Sequence, residues 1–132
     1  MLSQAPHLDQ GMNHVLQLHG EKAWTLFPFS ERESLYLDTN TQSVTLRHSL
    51  RDAGGTRPAA WLDPEPWWWS SYPRWCKAKG TRVVLTPGDL LYIPPFHIHA
   101  TETLSNVSVT ANRFAAWPRF RRYDEFAGTC RA

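Results

Sequence analysis

Apolar positions along the chain alternate with polar ones over short runs and seldom recur at helical spacing, which is the pattern of half-buried strands. His14-Val15-Leu16-Gln17-Leu18-His19 and Ala23-Trp24-Thr25-Leu26-Phe27 flank Gly20-Glu21-Lys22 and predict a hairpin. Ser30 to Leu35 opens on a serine that reads as an N-cap with an acidic first turn, so a single helical turn is expected after Pro28. Farther on come Thr81 to Leu85, a turn at Thr86-Pro87-Gly88-Asp89, Leu90 to Ile93, a Pro94-Pro95 break, a short segment through His97 and His99, and a run from Val107 to Phe114. Strands at such short spacing predict a β-barrel or sandwich.

Between about residues 38 and 80 the alternation fades. Gly54-Gly55, Pro58, Pro64, Pro66 and Pro73 mark a loop insertion that also holds Trp61, Trp67, Trp68, Trp69 and Trp75. So many indoles are expected to fold back over the core rather than stand in water, with a substrate-facing lid as the alternative. Arg119 to Phe126 mixes charge with aromatics and predicts a short terminal helix.

The chain has 132 residues, 42% hydrophobic and 13% aromatic, enough apolar surface for one domain over 1–132 and too little length for a second. No run approaches the roughly 18 apolar residues of a membrane span, and the first ten residues lack signal-peptide regions. A soluble intracellular protein, cytoplasmic or nuclear, with no membrane partner is therefore expected. Cys76 and Cys130 are too few for a disulfide scaffold and read as free thiols. A net charge of +2 leaves nucleic-acid binding open without favouring it.

Chemistry enters at His7 and Asp9. Two positions apart on an extended backbone, they point to one face and offer a nitrogen and a carboxylate to one ion. By itself such a pair is common. A second histidine source, His97 and His99, follows the apolar strand Leu90 to Ile93, and strand pairing can bring it to the first. Two histidines and one carboxylate with open positions make the facial triad of non-haem Fe(II) oxygenases.

The run His7-Leu8-Asp9, then Asn13, Gln17, Gly20, Lys22 and Trp24, followed by Leu26-Phe27-Pro28, resembles the H-x-D-x-x-x-N-x-x-x-Q-x-x-G-x-K-x-W-x-L-F-P stretch of the Jumonji C, or cupin-like, Fe(II)/2-oxoglutarate dioxygenases. Leu85 to Phe96 resembles their L-x-P-G-D-x-L-Y-I-P-P segment, and Ser108 to Asn112 their closing S-V-x-x-N strand. The resemblance implies a mainly β fold, a double-stranded β-helix or cupin-like jelly roll with short helices. It implies His7, Asp9 and His99 as iron ligands and catalytic centre, with His97 the alternative to His99. It also implies that Lys22 pairs with the distal carboxylate of 2-oxoglutarate, that Asn13 and Asn112 are further polar contacts in the cavity, and that O2 and a macromolecular substrate, protein or tRNA, are the other reactants. His14, His19 and His48 are read as non-ligands. Ser108, Thr110 and Asn112 alternate with Val107, Val109 and Ala111, giving that strand the polar inner face a liganded barrel requires.

Only six residues precede His7, and Gln4-Ala5 stands where the family has a threonine or serine. The barrel is therefore expected to be incomplete, the C-terminal part of a catalytic domain, and an open edge invites pairing with another chain, a homodimer included. Two rival readings follow: a non-catalytic cupin-like remnant that binds a metal or a partner protein, and RNA recognition by Arg74, Lys77, Lys79 and Arg82 beside Tyr72 and Trp75.

Overall fold

The computed structural model describes residues 3–37, 44–45, 70 and 72–115. Among these residues eight strands run in the order β1 (Ser3–Leu8), β2 (Met12–His19), β3 (Lys22–Phe27), β4 (Val44–Thr45), β5 (Thr81–Leu85), β6 (Leu90–Ile93), β7 (Ile98–Thr103) and β8 (Val109–Ala115). They form two antiparallel sheets, β4-β1-β7-β3-β5 and β6-β2-β8. From β1 to β3 and again from β5 to β8, successive strands lie in opposite sheets. This is the jelly-roll arrangement of the expected double-stranded β-helix.

The period-two pattern sets the packing. On β2, Asn13, Val15 and Gln17 are buried while Leu16 and Leu18 face out. The inward residues meet Trp24, Leu85 and Ile93, with Leu26, Val83 and Leu91 partly buried around them, and this cluster fills the space between the sheets. The other face of the larger sheet carries Leu8, Phe27, Ile98 and Ala100, which Leu35, Leu37 and Trp75 cover. Leu35 is held there because the chain after β3 coils tightly: its N–H donates to the Glu31 carbonyl at 2.9 Å, and that of Leu37 to Arg32 at 3.0 Å. Burying a leucine of this kind contributes about 2 kcal/mol.

Two expectations are corrected. β2 and β3 do not form a hairpin: β2 pairs with β6 and β8, and β3 with β5 and β7. Their inward faces, Val15 and Gln17 against Trp24, bury more apolar surface stacked across two sheets than they would side by side in one. The chain turns that corner at Gly20, where φ is +69° and a Cβ would collide with the Val107 carbonyl oxygen and Ser105 Oγ. Glycine is required on both counts. The helical turn after Pro28 exists, but it is a 3-10 turn at Phe29–Arg32 capped by Pro28, with Ser30 inside it.

Of the insertion expected at 38–80, the described part is β4, Ser70 and residues 72–80. Trp75, in a second 3-10 turn (Trp75–Lys77), is buried in the outer cluster, as the folded-back reading requires. Trp61, Trp67, Trp68, Trp69, His48, Cys130 and the terminal helix expected at Arg119 to Phe126 lie outside the described residues. Among the described residues no helix is long and apolar enough to cross a membrane.

Candidate metal centre

His7 and His99 face each other directly across the β1–β7 ladder, and their ring centroids are 4.2 Å apart. Asp9 follows the end of β1, and its Oδ2 lies 3.6 Å from His99 Nε2, too far for a hydrogen bond. One ligand atom from each of His7, Asp9 and His99 lies within 4.8 Å of the other two. Ligand atoms on one face of an ion, with bonds of roughly 2.1 Å, stand about 3 Å apart, so closing on one ion draws the widest pair together by up to about 2 Å.

The chemistry of the donors fits a metal as well as their spacing does. His7 Nδ1 donates to the Ala5 carbonyl at 2.9 Å and His99 Nδ1 to the His97 carbonyl at 3.0 Å. Each tether fixes the tautomer with a proton on Nδ1 and leaves the Nε2 lone pair for coordination. His99 is 2% exposed. Burial lowers its pKa below the ordinary imidazole range, the neighbouring His7 lowers it further, and the His97 carbonyl and Asp9 oppose the shift without reversing it. A neutral ring, the form that ligates, therefore prevails at neutral pH.

This shift has a sign for stability. The unfolded chain binds more protons at His99 than the folded one below the ordinary imidazole pKa, near 6.5, so stability is full above that value and is lost progressively as pH falls from it through the lowered pKa of the folded state. Urea unfolding of metal-free protein from about pH 8 to about pH 5 is expected to show this loss, and His99→Gln to flatten it. A wild-type profile as flat as the variant's contradicts the assignment.

Asp9 is set by its backbone. Its carbonyl accepts the Phe96 N–H at 3.0 Å, and Phe96 sits at φ +62° in the turn that leads from Pro94-Pro95 into β7. A non-glycine residue in this left-handed region is strained by about 1–3 kcal/mol. The Phe96 side chain packs against the outer cluster, which offsets part of that cost. The same turn thus spaces Asp9 from His99. His97 lies outside the cluster of three, as do His14, which packs against Tyr92 on the outer face of the smaller sheet, and exposed His19.

Beyond the three candidate ligands, one face of the larger sheet forms a ladder. Paired residues on antiparallel strands share a face, so the register places Leu26 beside His99, Trp24 beside Thr101 and Lys22 beside Thr103. Trp24 is 3% exposed, its ring 5.8 Å from that of His99 on one side and 5.3 Å from Lys22 Nζ on the other. Lys22 is half-buried, burial lowers its pKa, and it forms no ion pair among the described residues. Opposite lie Asn13 and Gln17, both buried. Asn13 Oδ1, Gln17 Oε1 and Trp24 Nε1 have no hydrogen-bond partner among the described residues. The Trp24 indole N–H and a Lys22 ammonium with no ion pair among the described residues suit an anionic ligand, while the two amide oxygens call for a hydrogen-bond donor.

Ser108 and Thr110 are half-buried, and Thr110 and Asn112 pair with Gln17 and Val15, so the polar face of this strand does point inward. Asn112, however, is exposed on β8, next to Phe114, which pairs with Asn13 on the same face and is 60% exposed. The basic-aromatic surface is corrected in its aromatic part. Trp75 is buried under the larger sheet and cannot stack on a base, and Arg74 lies over the Tyr36 ring at 4.7 Å while Arg82 pairs with Glu102 at 3.1 Å.

Trp24 was legible in the sequence as Lys22 plus two on a strand but carries no ligand signature. The Phe96 strain has no sequence signal at all.

Comparison with known proteins agrees with this architecture. The chain is 30% identical over 110 residues to HSPB1-associated protein 1 of Rattus norvegicus, covering 80% of the chain and 20% of that protein. The human protein of the same name is 29% identical over 110 residues, with the same coverage. The chain is also 28% identical over 108 residues to tRNA wybutosine-synthesizing protein 4 of Aspergillus oryzae, covering 82% of the chain and 9% of that protein. The chain thus spans about a fifth of the length of the first of these relatives. Residues 2–117 match the profile of the cupin-like domain. With the triad, the two-sheet barrel and this match, the chain belongs to the cupin-like domain family, of the Jumonji C type.

Proposed function

We propose that this chain holds Fe(II) and 2-oxoglutarate and serves an oxygenase that hydroxylates a protein or tRNA substrate. The observation that carries the proposal is the convergence of His7, Asp9 and His99, two imidazoles whose Nδ1 atoms are tied to backbone carbonyls and one carboxylate. Iron bound there supplies O2 activation coupled to oxidative decarboxylation of 2-oxoglutarate, with succinate and CO2 as products and a C–H bond of the acceptor converted to C–OH.

The residues of the chain have separable tasks. His7, Asp9 and His99 would hold the ion. Lys22 binds the distal carboxylate by charge, and Trp24 gives the co-substrate an apolar floor between the two ends. Asn13 offers an amide to whatever lies in the cavity, and Asn112 and Phe114, exposed on β8, are placed for contact with the acceptor. Of the relatives, one is named for the synthesis of wybutosine in tRNA, which favours the tRNA class, and the other for association with HSPB1.

The test is succinate formation by purified protein supplied with Fe(II), 2-oxoglutarate and O2, with anaerobic and iron-free controls. Succinate dependent on all three is expected. Tight metal binding without 2-oxoglutarate binding favours the second reading, a non-catalytic cupin-like domain. That reading is supported by the exposure of Asn112 and Phe114 on a face that a complete cavity encloses.

A further inference from the structure

Gln17 is buried at 0% exposure, and its hydrogen bonds go elsewhere than to the three candidate ligands. Its side-chain NH2 donates to the carbonyls of His19 at 2.7 Å and Gly20 at 3.0 Å and to Ser108 Oγ at 2.9 Å. Three acceptors for two hydrogens make one of these bonds shared. The orientation of the amide follows from its neighbours, because a reversed amide sets its oxygen against two carbonyl oxygens. Its backbone is engaged too: the N–H donates to the Asp89 carbonyl at 3.0 Å, and its own carbonyl accepts the Gly88 N–H at 2.9 Å.

These bonds reach three separate connections. One is the β2–β3 corner at Gly20-Glu21. The second is the β5–β6 turn, itself closed by Asp89 Oδ2, which accepts from Thr86 N–H at 2.7 Å and Thr86 Oγ1–H at 2.8 Å. The third is the β7–β8 segment, where Leu104 N–H donates to the Glu21 carbonyl at 3.0 Å and Ser105 Oγ accepts the Glu21 N–H at 2.9 Å. Lys22 lies where the three meet. It pairs with Leu85, the last residue of β5 before the turn, and with Thr103, the last residue of β7 before its segment.

We infer that Gln17 is a positioning residue for Lys22: by tying three connections together at this end of the barrel, it fixes where the Lys22 ammonium stands over Trp24 and hence how tightly the co-substrate's distal carboxylate is held. The inference rests on the co-substrate reading above. It assigns Gln17 no contact with the metal, so its removal acts on one ligand and spares the other.

A double-mutant cycle on Mn(II)-loaded protein, titrated calorimetrically with 2-oxoglutarate, tests it. Gln17→Met keeps the volume and removes the donors. It is expected to weaken 2-oxoglutarate binding about tenfold, about 1.4 kcal/mol, and to leave Mn(II) affinity within about twofold. In the Lys22→Met background the same change is expected to cost almost nothing, because the group it positions is gone. Equal losses in both backgrounds, or a parallel loss of Mn(II) affinity, overturn the inference and make Gln17 merely structural. Unchanged binding in Lys22→Met alone, or no binding by wild type, overturns the co-substrate reading itself. Should Gln17→Met fail to fold, Ser108→Ala, which removes one acceptor at the half-buried end of the network, carries the same cycle with an expected loss of about threefold.

Discussion

Asp9→Ala is expected to lower divalent-metal affinity by more than about 100-fold and to abolish succinate formation with it. Removing an outer-shell partner of a metal ligand already costs 10- to 100-fold in many sites, and Asp9 is a candidate ligand itself and the only carboxylate of the three. Without it a dication faces two neutral imidazoles and no compensating charge. The fold is expected to survive, because the Asp9 side chain is about one-third exposed and its structural bond, from the Phe96 N–H, goes to a carbonyl that alanine keeps. Asp9→Asn separates charge from shape: it retains an oxygen donor and is expected to bind more weakly than wild type but better than Asp9→Ala. Chelator competition with Mn(II), alongside unfolding curves for both variants, makes the measurement. An affinity in Asp9→Ala within a factor of about three of wild type, with the fold intact, removes Asp9 from the centre.

The triad was readable because strand geometry makes it so. Period two puts His7 and Asp9 on one face, and a proline stop followed by His97 and His99 begins a strand whose partner the sequence does not name. Pairing His7 with His99 is a long-range choice, which local pattern cannot dictate. Two histidines, one just before β7 and one in it, also left the candidate ambiguous in the sequence, and the structure groups His99, not His97, with His7 and Asp9. The hairpin misread has a similar origin. Two alternating runs around a glycine describe a hairpin and an inter-sheet corner equally well, and what decides is whether the inward faces have a second sheet to stack on. The aromatic surface failed for a different reason. Trp75 follows exposed Arg74 and precedes exposed Cys76 and Lys77, so its neighbours advertise a solvent-facing segment while the indole alone turns under the sheet. The exposure of Asn112 was hidden as well: alternation tells which face of β8 is polar, but what covers that face is set by the elements around it, not by the strand.

Lys22→Met is expected to weaken 2-oxoglutarate binding by about 10- to 100-fold while leaving metal affinity unchanged and stability unchanged or improved. Hydrogen bonds to charged groups contribute about 1.5–3 kcal/mol, which sets the size of the loss. The stability sign comes from the environment of the ammonium. It is half-buried over the Trp24 ring with no ion pair among the described residues, and burial alone accounts for its lowered pKa. A cation left there without an anion disfavours the ligand-free fold, so replacing it by an apolar stem of similar length removes a cost rather than a contact. Binding that collapses while stability holds is the mark of a group kept for its ligand. The pH dependence follows. The carboxylate requires the protonated amine, and because burial depresses the pKa of Lys22 in the ligand-free protein, wild-type affinity is expected to fall on the alkaline side before the ordinary lysine value of 10.5 is reached. Binding of a dianion favours the proton, so in that range each 2-oxoglutarate bound takes up protons from the buffer, which calorimetry in buffers of different ionisation enthalpy detects. Lys22→Met lacks both effects. An alkaline decline and proton uptake that persist in Lys22→Met belong to another group, and the carboxylate is then held elsewhere in the barrel.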